Sequence, residues 1–298
     1  MRVAMIGMGE VGRTFFEALN HNGVGVSWVV EKRVTGSMRA SCEKYKATLT
    51  EDIATVIDEV DMFLSCVDGE TAKSIASMLM HNARKGQVLV DFSTASAQTK
   101  RECGLGLAQH EISYVDIAIM GAIALTGHKT KMLAAGVKPD AACQKGIALL
   151  QRGGLPISII EDSQPGDAIS LKLLRSIFTK GLEALTVECL ATAEHLGVRQ
   201  GLYDVLADVD NTPLAEFLEM LVQTHLVHAA RRGKEVQRAH EQVESLGLSS
   251  LMLPAVEAVF SRTHALAQTQ SSDLPNTDTA LRALINICRE STKPTLHS

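Results

Sequence analysis

Three groups of residues in this 298-residue chain have types and spacings that can do chemistry. The first is Gly7-Met8-Gly9-Glu10-Val11-Gly12, a G-x-G-x-x-G turn between the apolar run Val3–Ile6 and a helical pattern that continues through Arg13–Leu19. In that setting the first glycine permits a tight turn. The second lets main chain approach a pyrophosphate, and the third lets helix pack on strand, with the phosphates at the positive helix N-terminus. An ordinary strand-to-helix turn is the plainer reading. The second group is Glu31, 24 residues after Gly7 at the end of the run Val26–Val30. This is near the ~20-residue spacing of an acid that holds the adenosine ribose hydroxyls. Such an acid repels a 2′-phosphate and favours NAD, whereas Lys32 and Arg33 beside it favour NADP; the balance leans slightly to NAD. A solvated strand-end acid is the alternative for Glu31.

The third group lies on one helical face. At 100° per residue, Lys172, Ser176, Thr179 and Glu183 fall within an arc of about 60°. Ile169, Leu171, Leu173, Leu174, Ile177, Phe178, Leu182 and Leu185 crowd the rest of that helix. A helix so apolar is expected to be largely buried, and its polar stripe must face water, a cleft or a partner. A lysine in a partly desolvated cleft titrates lower than in water and can exchange a proton near neutral pH. A solvent-facing stripe with a Lys–Glu surface pair fits the same pattern.

The elements that must hold these groups are legible in the hydrophobic rhythm. Strands are predicted at Val3–Ile6, Val26–Val30, Met62–Val67, Gln87–Ser93, Ile112–Ala118, Met132–Ala135 and Pro156–Ile160. Helical patterns lie between most of them, such as Thr71–Ala83 and Asp140–Leu150. That alternation means a doubly wound, mostly parallel sheet covered on both faces, an α/β fold of Rossmann type. After Gln164-Pro165-Gly166 the pattern becomes all-helical, with helices predicted over Ala168–Leu196, Leu214–Arg232, Lys234–Leu246, Pro254–Gln268 and Asp278–Glu290. Gly233 is read as the break between the second and third of these, and the polar end Ser291–Ser298 as frayed. The division expected is 1–164 for dinucleotide and 165–298 for substrate and dimerisation.

Composition narrows the classes. With 29 basic and 34 acidic residues the net charge is −5, which argues against nucleic acid or an anionic membrane as partner. One Trp, three Tyr and seven Phe leave few stacking platforms for single strands. No apolar stretch reaches ~18 residues. The first apolar run is interrupted by the glycine turn, so no secretory leader is read and a cytoplasmic location is expected. Cys42, Cys66, Cys103, Cys143, Cys189 and Cys288 contain no C-x-x-C pair and are read as buried, reduced thiols. His225-x-x-His228 puts two imidazoles on one face without an evident third ligand, so no metal is expected. The run from His225 to Lys234 is read as a solvated basic face or a wall toward an anion.

In order along the chain, the Gly7–Gly12 turn, Asp91-Phe-Ser-Thr94, Val115-Asp-Ile-Ala-Ile-Met-Gly121 and Gly166-x5-Lys172 resemble the β-hydroxyacid dehydrogenases, the family of 3-hydroxyisobutyrate and 6-phosphogluconate dehydrogenases. The resemblance covers nearly the whole chain, and the second half looks like a less characterised branch. It implies a Rossmann domain, a long interdomain helix, a helical C-terminal domain that builds a homodimer, and oxidation of a small hydroxy acid or reduction of its carbonyl form. It implies Lys172 as the general acid/base and Thr94 near nicotinamide and substrate. Val67 and Lys234 would stand beside the cofactor. The family's substrate-binding Ser-Gly-Gly reads Met120-Gly121-Ala122 here, and its Asn after the catalytic lysine is Ser176. Met120 makes that wall more apolar, and Arg175 is a candidate replacement anion anchor. These departures leave room for an imine as substrate; a non-catalytic dinucleotide-binding protein is the other alternative.

Overall fold

A computed structural model describes residues 1–267 and 274–290. The chain forms two compact units, Met1–Ile177 and Phe178–Ser298. In the first unit the strands are β1 (Val3–Ile6), β2 (Val26–Val30), β3 (Thr48–Thr50), β4 (Met62–Ser65), β5 (Val88–Asp91), β6 (Ser113–Ile119), β7 (Met132–Ala135) and β8 (Ile157–Ile159). They form one sheet in the order β3-β2-β1-β4-β5-β6-β7-β8, parallel except for the antiparallel pair β6–β7. Between the strands lie α1 (Glu10–His21), α2 (Gly36–Tyr45), α3 (Gly69–Asn82), α4 (Ala97–Gln109), α5 (Ile123–Thr126) and α6 (Ala141–Arg152). This is the Rossmann-type fold that the strand–helix alternation predicts.

The period of two explains why both faces are covered. On β1, Val3 and Met5 join an apolar cluster with Phe15 and Phe16 of α1, while Ala4 and Ile6 join the opposite cluster with Ile75 and Leu79 of α3. Met62 and Leu64 against Phe63, and Val88 and Val90 against Leu89, divide in the same way. A central parallel strand buried on both sides must be apolar at every position. The chain runs outward from β1 through β2 and β3, then returns to continue on the other side through β4. The carboxyl ends of β1 and β4 therefore flank the switch point at which such folds take ligands.

The helix α7 (Asp167–His195) runs from the first unit into the second. The second unit adds α8 (Arg199–Val205), α9 (Ala207–Asp210), α10 (Leu214–Ser245), α11 (Met252–Leu266) and α12 (Thr277–Glu290), with no strand among its described residues. Gly233 does not break a helix: α10 is continuous through it. A Cβ at Gly233 would touch the Phe260 Cβ of α11 at 3.4 Å, so this glycine serves close helix packing rather than termination. The predicted helix end at Gln268 and the stretch Ser291–Ser298 lie outside the described residues.

Two further expectations are corrected. Cys189 and Cys288 are exposed, while Cys42, Cys103 and Cys143 are buried and Cys66 is partly covered. Both exposed thiols sit on helices of the second unit, outside the sheet core that buries the others. The apolar side of α7 is not buried either: Leu174 is 61% and Ile177 72% exposed in the single chain, and Leu171, Leu173 and Leu182 are also exposed. The half-buried residues of this helix around Lys172 are the polar ones, Lys172, Ser176 and Thr179. Glu183, the fourth residue of the expected stripe, is exposed and pairs with Lys180 Nζ at 3.0 Å, while Ile169 is buried.

Candidate functional site

Gly7 ends β1 with φ of +89°, a conformation that favours glycine, and donates its N–H to Val30 O at 2.9 Å. A Cβ there would lie 2.7 Å from Cys66 O and 2.8 Å from Val67 Cγ1, which places Val67 directly against the turn. At Gly12 a Cβ would overlap the carbonyl oxygen of Gly7 and stand 3.3 Å from Cys66 Cβ. Gly12 is thus the point of closest contact between helix and strand. At Gly9 a Cβ would meet nothing within 4 Å. The chain itself gives no packing reason for that glycine, and its bare main chain leaves room for a ligand to approach.

Gly9 is also the N-cap of α1 and offers no side chain to the helix start, so the first N–H groups of α1 are not satisfied by a capping side chain. Uncapped N–H groups beside a bare glycine make a cradle for an anion. Glu31 closes the turn from the other side. Its Oε2 accepts from Met8 N at 2.9 Å and its Oε1 from Arg33 N at 2.9 Å, while the side chains of Lys32 and Arg33 are exposed. These residues fit the pyrophosphate and ribose of a dinucleotide. Glu10 and Val11 form the first turn of α1.

The second half of the site lies along β5, β6 and the start of α7. Asp91 and Asp116 are register partners on adjacent strands, both buried. Two facing carboxylates in an apolar sheet require a cation. Lys100, from α4 and 0% exposed, supplies it: Nζ is 2.7 Å from Asp116 Oδ1, 3.4 Å from Asp91 Oδ2 and donates to Asp91 O at 3.2 Å. Asp91 also accepts from Tyr114 Oη at 2.6 Å, Ser93 Oγ at 3.0 Å and Ser93 N at 2.8 Å. Burial and the adjacent Asp91 push the Tyr114 hydroxyl well above its ordinary value. The other oxygen of Asp116 accepts from Gly166 N at 3.0 Å and Ile169 N at 3.1 Å, so it caps the start of α7.

Lys172 stands one turn beyond Ile169 on the same face. Burial pushes its amine below the ordinary lysine value, the charge of Lys100 adds to that, and Asp116 opposes it. Met120, just past β6, shares an apolar cluster with Ala168, the second residue of α7, so it lies close to the turn that carries Lys172. Gly121, Ala122 and Thr94 are exposed at the carboxyl ends of their strands, and Ser176 follows Lys172 by one turn, half-buried. Lys234 is exposed on α10, in the second unit. His225 Nε2 pairs with Thr263 Oγ1 at 2.9 Å, and no group of three potential metal ligands occurs among the described residues.

Lys100 belongs to none of the sequence motifs, and Asp91 and Asp116 stand in them without an assigned role. A signal was there: Asp91 and Asp116 interrupt otherwise apolar strands, and an acid at such a position needs a partner. Which lysine answers is a matter of how α4 crosses the sheet.

Comparison with known proteins agrees with this architecture. An uncharacterized 28.5 kDa protein in the 7S RNA 5′ region of Methanothermus fervidus is 26% identical over 260 residues, covering 87% of this chain and 98% of that protein. The solved structure of a conserved protein of unknown function, MTH1747, reported as structurally similar to 3-hydroxyacid dehydrogenases, is 26% identical over 89% of this chain and 97% of its own, with a TM-score of 0.60. An imine reductase variant from Myxococcus stipitatus in complex with NAD⁺ has a TM-score of 0.73, covering 95% of this chain and 99% of its own; at 20% identity it shares the fold. Residues 193–263 match a domain of unknown function, DUF1932. Residues 2–153, more than half of the chain, match the NAD binding domain of 6-phosphogluconate dehydrogenase, and the chain belongs to that family.

Proposed function

We propose that this protein is an NAD(P)-dependent oxidoreductase of a small hydroxy acid or its carbonyl form, with Lys172 as the group that gives or takes the substrate proton. The observation that carries this reading lies around the first turns of α7: Leu171, Leu173 and Leu174 are exposed while Lys172 is half-buried beside a buried ionic network. A solvent-facing stripe would show the opposite pattern. When bound, the nicotinamide supplies or accepts the hydride. The chain's part is to hold the pyrophosphate on Gly9 and the α1 N-terminus and to keep Glu31 at the ribose. Lys172 Nζ, protonated, donates to the substrate oxygen in reduction; as the free amine it removes the hydroxyl proton in oxidation. Thr94, Gly121 and Ser176 position the substrate against it.

NAD is the cofactor favoured in this reading, because Glu31 is fixed by two main-chain donors where a 2′-phosphate would meet its charge. The residues 1–164 would take the dinucleotide and 165–298 the substrate and a second copy. The exposed apolar side of α7 supports a homodimer, since a contiguous apolar face of this kind marks a surface that a partner covers. A neutral C=N substrate is the second reading, supported by Met120-Gly121-Ala122, where no hydroxyl is available to hold a carboxylate.

Titration of the folded protein with NADH and with NADPH, followed by nicotinamide fluorescence, tests the first step. Saturable binding of one over the other is expected, after which hydroxy acids, ketones and cyclic imines are screened with that cofactor. Binding of neither would overturn the oxidoreductase reading.

A further inference from the structure

The buried ionic group has a reach beyond the sheet. Lys100 is held at 0% exposure by Asp116 Oδ1 at 2.7 Å, Asp91 O at 3.2 Å and Asp91 Oδ2 at 3.4 Å. Asp116 in turn spends its second oxygen on Gly166 N and Ile169 N, the first turn of α7. The approach of that turn is set by shape as well. Gly166 has φ of +96°, and a Cβ there would meet Ala97 O of α4 at 2.6 Å. Pro165 fills the space above Gly104 and Gly136, where a Cβ would meet it at 2.7 and 2.8 Å. Arg101, one residue after Lys100, reaches Asp167 Oδ1 at 3.3 Å. The start of α7 is therefore clamped to α4 and β6 by charge, hydrogen bonds and packing together.

A structural clamp alone would not need a cation. Asp116 could be an asparagine and still accept from two N–H groups, and Lys100 could be a leucine. Burying an ion pair is a costly way to reach stability that apolar residues supply as well. What the ionic version adds is charge near the first turns of α7. The charged groups that bear on Lys172 from the elements packed against it are Lys100 of α4 and Asp116 of β6, with Lys100 the stronger of the two. Those that bear on Lys100 are Asp91 of β5 and Asp116 of β6.

We propose that Lys100 and Asp116 are positioning residues for Lys172: they fix the first turn of α7 through Gly166 N and Ile169 N and hold a buried cation and carboxylate beside the turn that carries its amine. The idea rests on the proposed role of Lys172 in proton transfer, and it concerns how that role is tuned. Lys100 touches neither substrate nor cofactor; it acts through the lysine one helix start away.

The test reads Lys172 itself and does not depend on turnover. Full-length protein is labelled with trace acetic anhydride across pH, and modification of the Lys172 peptide is quantified by mass spectrometry, since only the free amine reacts. Asp116→Asn keeps one oxygen to accept from Gly166 N and Ile169 N and leaves Lys100 paired to Asp91, but removes the negative charge. Labelling of Lys172 near neutral pH is expected to rise at least about twofold over wild type. Adding Lys100→Met removes the buried cation and leaves Asp91 to its donors Tyr114 Oη, Ser93 Oγ and Ser93 N, and labelling is expected to fall at least about threefold below wild type. Opposite directions are the signature of charge, because loosened packing, which the second variant shares with the first, would move both the same way. Both variants moving the same way, or neither moving, would overturn the proposal. Should Lys172→Ala keep full turnover while the two labelling shifts appear, the fault would lie in the catalytic reading and not in the coupling.

Discussion

Replacing Gly12 and Gly9 by alanine, one at a time, separates the two reasons for glycine in the turn. At Gly12 the added Cβ overlaps the Gly7 carbonyl oxygen, stands 3.0 Å from its carbon and 3.3 Å from Cys66 Cβ. Two of these three atoms are main chain, so strand and helix must part. Overpacking of this kind costs up to about 3 kcal/mol, and the better helix propensity of alanine returns about 1 kcal/mol. The net loss of about 2 kcal/mol lowers Tm by about 4–8 °C in a unit of this size. At Gly9 the Cβ meets nothing within 4 Å, and φ is −67°, open to any residue. Glycine is a better N-cap than alanine by about 0.5–1 kcal/mol, so Tm should fall by about 1–4 °C. The methyl group stands where the pyrophosphate is proposed to lie, so Kd for the nicotinamide dinucleotide should rise at least about tenfold, equivalent to about 1.4 kcal/mol. Thermal melts and fluorescence titration of both variants give the two numbers. A Gly9→Ala protein with unchanged Kd would refute the cradle; a Gly12→Ala protein with unchanged Tm would refute the packing argument.

Lys172→Ala should lower kcat by at least about a hundredfold with Kd for the cofactor within about twofold; parallel loss of both would count against a proton-transfer role. In the oxidative direction, activity should climb as pH rises through the lowered titration of Lys172, and the reductive direction should fall over the same range, as pH–rate profiles will show. For stability the sign is the reverse of a salt-bridged lysine. Its amine titrates lower folded than unfolded, so the unfolded chain binds more protons between the two values. The penalty is present at neutral pH and fades as pH rises toward the unfolded value near 10.5. Lys172→Met should accordingly gain stability over wild type at neutral pH and lose that advantage in alkali, measured by denaturant melts. Finally, Ile177→Glu on the exposed side of α7 should shift the sedimentation of a wild-type dimer toward monomer while leaving far-UV circular dichroism unchanged; an unaltered dimer would place the interface elsewhere.

Much of the first unit could be read from local pattern. The β1 and β2 boundaries, the turn between Gly7 and Gly12 and the place of Glu31 follow from alternation, glycine chemistry and spacing, all of which act over a few residues. Local pattern erred at Gly233, where the same residue type serves a helix end in one context and a close α10–α11 contact in another. It also erred on α7. Apolar periodicity says that a face prefers to be covered, but it does not say by what, and within one chain the leucines remain exposed.

The amino-acid sequence by itself determined the α/β unit, the dinucleotide turn and the helix that carries Lys172, because strand alternation and helical period are properties of neighbouring residues. The tertiary structure alone decided that Asp91 and Asp116 face each other, that Lys100 is the cation between them, and that Asp116 caps the helix of Lys172. The reason is range. Lys100 and Asp116 are 16 residues apart, and Asp116 and Ile169 are 53 apart. Their encounter depends on strand register and on the path of α4 across the sheet, which no periodicity in the chain records.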